Sequence, residues 1–243
     1  MDWQAPSLVR TLDAWLDEDI GRGDLTAPAL QGRQGSAHWI AKQPGRFCGG
    51  PLVKQLFERL DPGVSVRLLR QDGDAVAEGE CLLELQGPAT ALVAGERTAL
   101  NLSMRLSGIA TATAELVAQL QGTGVRLADT RKTTPGLRVL EKYAVRAQAP
   151  WPTAVIVEAE TEAQALEAVQ GGANGVLLDE FTPEQLKALV PRLRDCSTRG
   201  VVLEASGIQP EQLQAYAATG IDLISTSAPV TRSRWLDLSM RFT

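Results

Sequence analysis

Two adjacent cations in the segment Asp129–Gly136 have the type and spacing expected of an anion site. Arg131 and Lys132 follow Thr130 and precede two further hydroxyl residues, and a Pro-Gly pair closes the segment. Arginine binds a carboxylate or phosphate through two parallel hydrogen bonds, and lysine adds a compact charge. Hydroxyls and loop amides can complete such a cradle. The segment therefore predicts an anion-binding loop, with a solvated basic loop as the alternative.

Three carboxylates form a second candidate group. Glu158 and Glu160 are two residues apart at the end of one predicted strand, so strand alternation puts them on the same side. Asp179 follows the apolar run Gly175–Leu178. Carboxylates so placed can hold Mg²⁺, accept hydrogen bonds from ribose hydroxyls or stabilise a developing cation. Ordinary surface charge is the alternative, and it fits Glu160 best.

Small polar residues after the last two predicted strands form a third group. They are Ser206 and Gly207 after one strand, and Thr226 and Ser227 after the next. Barrels often bind phosphate in this place through backbone amides. Turns also use serine and glycine, so an ordinary turn remains open.

Arg97 is a fourth candidate because it lies within an apolar helical stretch. From the residues alone, an arginine there is most simply a snorkelling side chain or part of a surface ion pair.

The elements that position these residues change character along the chain. Up to about residue 88 the pattern predicts helices and strands of an α+β unit, and residues 89–122 predict one long bent helix or two helices in succession. From residue 125 strands alternate with helices, which indicates a parallel sheet or barrel. In a barrel the carboxyl ends of the strands form the active-site mouth. All the candidate groups except Arg97 fall at such ends.

Composition excludes several classes of protein. The 243 residues carry 24 Lys+Arg and 29 Asp+Glu, a net charge of −5, which argues against general binding to nucleic acid or an acidic membrane. The single histidine, His38, excludes multi-histidine metal sites. Three widely spaced cysteines form no zinc or disulfide pattern and favour a reducing cytoplasmic location. No apolar stretch is long enough for a transmembrane helix.

Long blocks of the sequence resemble the quinolinate phosphoribosyltransferase family, the carboxylating nicotinate-nucleotide pyrophosphorylases. The resemblance runs from about residue 8 to the C-terminus. Its blocks, in family order, are Asp17–Thr26, Gly95–Asn101, Arg105–Thr111, Asp129–Gly136, Leu140–Arg146, Leu203–Gly207 and Gly220–Ser225.

The resemblance implies an α/β fold in two parts. Residues 1–108 would form an N-terminal α/β sandwich domain to which residues 230–243 return, and residues 109–229 would form an open, incomplete α/β barrel of the type II phosphoribosyltransferase kind. The resemblance also implies a homodimer or dimer-based oligomer. Arg97 would then bind substrate in the neighbouring subunit's site.

The implied reaction joins quinolinate to phosphoribosyl pyrophosphate with Mg²⁺ and gives nicotinate mononucleotide, pyrophosphate and CO₂, a step of NAD biosynthesis. By resemblance, Glu158 and Asp179 are the catalytic acids on the ribose and metal side, and Lys132 is both catalytic and substrate-binding. The remaining substrate-binding residues would be Arg97, Thr130, Arg131, Ser206, Gly207, Thr226 and Ser227.

The sequence departs from the family pattern at two places. After Arg146 the family continues with a glycine run, a histidine-containing motif and a strand carrying a substrate-binding lysine, whereas here Ala147 follows at once. A strand–helix unit of roughly 30–40 residues is absent, as the single histidine also indicates. In addition, the family usually has a further residue, often glycine, after the pair that corresponds to Ser206 and Gly207, whereas here Ile208 follows.

Three interpretations of the absent unit are open. In the first interpretation, the protein contains the segment although the sequence lacks it. The Cα atoms of Arg146 and Ala147 should then lie farther apart than the roughly 3.8 Å of bonded residues. Alternatively, the protein has lost the unit and catalyses poorly. Finally, it is a relative with other chemistry, such as the molybdenum-transport-associated homologue, or a non-catalytic binding protein on the same fold. Residues 72–87 also resemble the β-hammerhead of biotinyl and lipoyl carriers, but a carrier function is disfavoured because no lysine lies at the turn.

Overall fold

The computed structural model describes residues 1–21, 23–149, 156–197 and 200–242. It forms two compact units, the first of residues 1–111, 139–147 and 233–243, and the second of residues 112–138 and 148–232. Residues 139–147, assigned from the sequence to the barrel domain, group with the first unit. Thr153–Val155 of the predicted strand 153–160 and Arg22 of the first family block lie outside the described residues.

The first half of the chain is a mixed run of helices and strands. Its elements are α1 (Pro6–Ile20), α2 (Ala27–Leu30), β1 (Gln34–Ala41), β2 (Gly45–Arg46), α3 (Gly50–Leu60), β3 (Ser65–Leu68), β4 (Ala75–Val76), β5 (Cys81–Pro88) and α4 (Ala89–Gln119).

The second half alternates strands with helices, as predicted. Its elements are β6 (Arg126–Ala128), α5 (Arg138–Arg146), β7 (Ile156–Ala159), α6 (Glu162–Gln170), β8 (Gly175–Leu178), α7 (Pro183–Cys196), β9 (Val202–Ala205), α8 (Leu213–Ala217), β10 (Leu223–Ser225), α9 (Ala228–Thr231) and β11 (Leu238–Phe242). A short 3-10 turn, Pro210–Gln212, precedes α8.

The first unit contains a four-stranded sheet in the order β11-β1-β5-β3, with antiparallel pairing throughout. Alternate residues of β1, namely Ala37, Trp39 and Ala41, are buried, as expected of a strand with one covered face. On α1, Leu8, Leu12 and Leu16 recur every four residues and form its buried stripe. β11 pairs with β1, so the C-terminal strand belongs to this unit.

The second unit contains a five-stranded parallel sheet in the order β6-β10-β9-β8-β7. Residues 175–178 of β8 are almost entirely buried, which explains their continuous apolar run. The two helices that follow β7 and β8 start at capping boxes, with Thr161 paired to Gln164 and Thr182 paired to Gln185. These caps fix where each strand's exit loop ends.

The backbone continues without a break through the junction after Arg146. The amide of Ala147 donates to the carbonyl of Tyr143 at 3.1 Å, so the helical hydrogen bonding of α5 extends across Arg146–Ala147. The expectation of a separation too long for a peptide bond is therefore wrong. The interpretation that rested on that separation, a segment carried by the protein but lacking from the sequence, loses its support.

Candidate functional site

The candidate groups of the second unit leave the parallel sheet at the carboxyl ends of its strands. The anion-binding loop, defined as Asp129–Gly136, follows β6, and the loops with Thr226 and Ser206 follow β10 and β9. Asp179 follows β8, and Glu158 lies in β7. Parallel strands present their carboxyl ends at one edge, so the sheet brings these loops to that edge. The order along it is cations, small polar residues, then carboxylates.

A set of internal hydrogen bonds shapes the anion-binding loop. The carbonyl of Arg131 accepts from the amide of Thr133 at 3.0 Å, and the amide of Lys132 donates to Oγ1 of Thr130 at 3.1 Å. Gly136 has φ +83°, a left-handed conformation that favours glycine. Arg131 and Lys132 are exposed, and no carboxylate of the described residues lies within ion-pair distance of either. The loop therefore offers two cations to an external anion.

The carboxylates face one side of two neighbouring strands. Glu158 is in register with Leu177, and Asp179 lies two residues beyond Leu177, so both carboxylates project from the same face. The amide of Asp179 donates to the carbonyl of Ala159 at 3.0 Å, which continues the pairing of β7 and β8 past their ends. Glu158 is exposed and Asp179 is half-buried. Glu160, one pleat beyond Glu158, is exposed in a bend.

This donor set can be tested against the expected Mg²⁺. Magnesium is usually bound by one or two carboxylates together with substrate phosphates, rather than by an all-protein cage. Two carboxylates on one face meet that requirement. Within residues 1–21, 23–149, 156–197 and 200–242, no group of three or more His, Cys, Asp or Glu side chains could hold a metal ion. The residues thus fit a magnesium ion shared with a phosphorylated substrate.

The two small-residue loops leave adjacent parallel strands. The amide of Ser206 donates to the carbonyl of Leu178 at 3.2 Å, and Gly207 has φ +76°. Thr226 is buried, and its Oγ1 accepts from the amide of Ala228 at 3.2 Å, while Ser227 is half-buried. The hydroxyl of Ser206 and the exposed backbone of Gly207 are therefore the groups most open to a ligand here. Ile208, the departure from the family pattern, is buried at 3% exposure.

Arg97 belongs to the first unit, on α4. Its side chain is exposed, while the neighbouring Thr98, Ala99 and Leu100 are buried. Arg97 makes no ion pair in the part of the chain that the structure describes. The absence of such a pair disfavours the helix-surface ion pair, whereas an exposed cation is compatible with a snorkelling side chain as well as with an external anion.

A buried ion pair that sequence reasoning missed holds α5 within the first unit. Nε and Nη2 of Arg105 donate to Oε1 of Glu141 at 3.1 and 2.8 Å, and Nη1 of Arg105 donates to Oγ of Ser233 at 3.2 Å. The side chain of Glu141 is fully buried and that of Arg105 is 15% exposed. The spacing in the sequence did indicate that Glu141 is buried, because it lies four residues before the apolar Val145 and therefore on the same buried face of the helix.

A second polar cluster, defined as Cys48, Asp72 and Tyr143, also holds α5. Oη of Tyr143 donates to Oδ2 of Asp72 at 2.7 Å, and Oδ1 of Asp72 accepts from the amides of Gly49 and Gly50 at the start of α3. Burial, followed by the hydrogen bond and the charge of Asp72, raises the pKa of Tyr143 above its usual range. Burial, and then the charge of Asp72, likewise raises the pKa of the Cys48 thiol. Both groups are therefore held neutral.

Comparison with known proteins gives matches along nearly the whole chain. The model of the quinolinate phosphoribosyl transferase N-terminal domain matches residues 24–107, and that of the C-terminal domain matches residues 109–149 and 145–241. A probable carboxylating nicotinate-nucleotide pyrophosphorylase of Synechocystis is 37% identical, over 95% of this chain and 90% of that protein. The Bacillus subtilis protein of the same description is 37% identical, over 97% of this chain and 93% of that protein. The crystal structure of NadC from Streptococcus pyogenes has a TM-score of 0.89 and 28% identity, covering 100% of this chain and 99% of that chain.

These matches also locate an internal gap. The C-terminal family domain matches in two pieces that meet at residues 145–149. The alignment with the Synechocystis protein spans 268 positions but covers 95% of the 243 residues here, about 231, so about 37 positions of that relative have no counterpart. The predicted absence of a unit of roughly 30–40 residues after Arg146 agrees with this gap. In the sheet, the gap falls between β6 and β7.

Proposed function

Because this chain belongs to the quinolinate phosphoribosyl transferase family, we propose that it joins quinolinate to phosphoribosyl pyrophosphate and releases CO₂. The chain is a phosphoribosyltransferase of NAD biosynthesis, in line with relatives described as carboxylating nicotinate-nucleotide pyrophosphorylases. The single observation that carries the proposal is the match of both family domains over nearly all of residues 24–241.

The reaction has two bond changes, and each suits a part of the sheet edge. The ring nitrogen of quinolinate bonds to C1 of the ribose while the C1–O bond breaks, with its electron pair leaving on pyrophosphate. The carboxylate next to the ring nitrogen then leaves as CO₂. Its bonding electrons stay on the ring carbon, which takes a proton from solvent and gives nicotinate mononucleotide.

Charge placement is the main contribution of the protein to such a transfer. As pyrophosphate departs, the ribose becomes oxocarbenium-like, and Glu158 and Asp179 are the carboxylates that would stabilise it. Arg131 and Lys132 would bind the carboxylates of quinolinate and the departing phosphates, with Thr130 supporting the loop. Ser206, Gly207, Thr226 and Ser227 would bind the 5′-phosphate, because their loops leave adjacent strands between the cations and the carboxylates.

Magnesium is part of the proposal as a companion of the diphosphate substrate. Glu158 and Asp179 would hold it, since both face the same side of β7 and β8. When bound, it would neutralise charge on the pyrophosphate leaving group. Lys132 would share that task from the other edge of the sheet.

A homodimer is proposed on account of Arg97. This exposed cation has no ion-pair partner in the described part of the chain, and a second copy would give it a substrate to bind. We also propose a cytoplasmic location, because Cys48, Cys81 and Cys196 are free thiols of the kind a reducing compartment preserves. Among the described residues no helix combines the length and the apolar character needed to cross a bilayer.

A second candidate is a protein of the same fold that binds these substrates but turns them over poorly or not at all. Two observations favour it: the C-terminal family match splits at residues 145–149, between β6 and β7, and about 37 positions of the Synechocystis protein have no counterpart in the alignment with this chain. By the family resemblance, this gap would remove a substrate-binding lysine and a histidine–arginine pair.

One assay separates the two candidates. The purified chain is mixed with quinolinate labelled at the carboxyl next to the ring nitrogen, phosphoribosyl pyrophosphate and Mg²⁺, and CO₂ and pyrophosphate are measured together. The proposed enzyme releases both in equal amounts, and Arg131→Ala abolishes the release while the remote surface variant Arg192→Ala preserves it. Calorimetric binding of phosphoribosyl pyrophosphate without either product supports the second candidate. Absence of both turnover and binding contradicts both.

A further inference from the structure

A third cation, Arg138, holds the anion-binding loop from the start of α5. Its Nε donates to Oγ1 of Thr133 at 3.1 Å, and its Nη2 donates to the carbonyl of Arg131 at 3.4 Å. Thr133 closes the same ring, because its amide and its hydroxyl both reach that carbonyl, at 3.0 and 3.4 Å. The guanidinium thus joins the two ends of the turn that presents Arg131 and Lys132.

Electrostatics alone does not explain a cation at this place. The first turn of a helix carries the positive end of the helix dipole, where a cation is disfavoured. Arg131 and Lys132 add like charge seven and six residues away, and the described residues place no carboxylate within ion-pair distance of Arg138. The shape of the guanidinium explains its presence, because this planar group can donate to a hydroxyl and to a carbonyl at the same time. Lysine offers a point charge with no such geometry.

We propose that Arg138 is a positioning residue for this reaction. By fixing the carbonyl of Arg131 and the hydroxyl of Thr133, it sets the direction in which Arg131 and Lys132 leave the turn toward the anionic substrate. This inference rests on the proposed function, because the substrate is the one named there. Arg138 acts through the loop backbone, and the pair Arg138–Thr133 is the unit to be tested.

The test is a double-mutant cycle on turnover. Arg138→Lys keeps the charge and Thr133→Val keeps the shape of threonine, while each removes part of the hydrogen-bonded ring. A misplaced substrate-orienting group costs on the order of tenfold to a hundredfold. We expect each single variant to lower kcat for quinolinate by about tenfold or more, and the double variant to be no worse than the poorer single one. Thr133→Ser, which restores the hydroxyl, is expected to recover most of the activity.

The controls separate this role from a general charge or a general loss of stability. Arg192→Ala removes an exposed arginine paired with Glu162 on the surface of the same unit and is expected to leave kcat unchanged. The melting temperature of Arg138→Lys should stay that of the parent chain, because the lost hydrogen bonds are exposed. Full activity of Arg138→Lys, or additive losses in the cycle, would overturn the inference.

Failure of the proposed function is distinguishable from failure of this inference. If the parent chain shows no turnover, the cycle is repeated with the dissociation constants of quinolinate and of pyrophosphate, measured by calorimetry. Weaker binding by about tenfold in Arg138→Lys, with the same non-additivity, supports the positioning role even then. Unchanged binding, or no binding by the parent chain, contradicts it.

Discussion

Removing the charge of Glu141 is expected to destabilise the first unit far more than removing the charge of an exposed glutamate. The carboxylate of Glu141 is fully buried and accepts two hydrogen bonds from Arg105, whose side chain is only 15% exposed. In Glu141→Gln the amide keeps the shape but no longer neutralises the guanidinium, so a largely buried cation loses its countercharge. Breaking a buried pair in this way costs roughly 3–5 kcal/mol.

The matched control lies in the same unit. Glu84 accepts from Arg67 across β5 and β3, and the two side chains are 40% and 69% exposed. An ion pair of this exposure contributes about 0–1 kcal/mol. Glu84→Gln makes the same chemical change to a pair with the same residue types, so burial is the variable that differs between the two experiments. The expected difference is therefore at least about 2 kcal/mol.

Cys48 provides a readout confined to the first unit. Its side chain is fully buried, so its alkylation reports opening of this unit, while the exposed Cys196 serves as an internal measure of reagent activity. Alkylation is followed against urea concentration by peptide mass spectrometry, with identical conditions for the parent and both variants. The reasoning is refuted if Glu141→Gln moves the Cys48 midpoint no further than Glu84→Gln does.

Four other substitutions test local features of the fold. Burial raises the pKa of the Cys48 thiol, so its neutral form contributes stability below the ordinary thiol pKa of about 8.5, and this stability is lost as the pH rises above that value. In the parent chain the urea midpoint should therefore fall between about pH 8 and 10, and Cys48→Ala should make that fall smaller. Gly108→Ala places a Cβ 1.9 Å from the carbonyl oxygen of Arg234 and should leave little soluble protein, whereas Gly122→Ala, at φ +78° in open space, should cost only about 1–2 kcal/mol in urea unfolding. Glu180, the one non-glycine residue with positive φ (60°) in the described part of the chain, should gain roughly 0.5–1 kcal/mol in thermal unfolding when changed to asparagine; a loss would contradict the strain.

The sequence predicted the helices and strands of the chain well where local pattern decides them, and less well where tertiary packing does. Residues 89–122 were expected to form one long bent helix or two helices in succession, and α4 is a single helix from Ala89 to Gln119 that continues through Gly95 and Gly108. These glycines permit close packing instead. A Cβ at Gly95 would lie 2.7 Å from the ring of Phe57, and one at Gly108 would meet the chain near Arg234. Nothing in the local sequence distinguishes a packing glycine from a helix-breaking one.

In the candidate site, too, local pattern predicts some features and tertiary packing decides the others. The loops that follow strands could be predicted, because strand ends are readable from apolar runs and a parallel sheet gathers them at one edge. The supports of those loops could not. Spacing does not distinguish Arg138 from other helix cations, and Glu141 and Tyr143 gain their partners from residues 36 and 71 positions away in the chain. Such long-range partners follow from the fold and not from spacing.

The order of the parallel sheet explains what the internal gap removes from the molecule. The chain passes from β6 through the gap to β7, and β6 and β7 are the two edge strands of the sheet. Each bears uncovered apolar surface, since Val157 on β7 is 40% exposed and an apolar groove lined by Val117, Leu120, Val125 and Leu127 runs beside the amino end of β6. A strand–helix unit inserted at that point would border one or both edges. A chain without that unit keeps the five strand exits that carry the anion-binding loop, the two small-residue loops and the carboxylates. We therefore expect the chain to retain substrate binding at those exits more fully than turnover. Compared with a relative that has the unit, it should show a similar dissociation constant for substrate but a lower kcat.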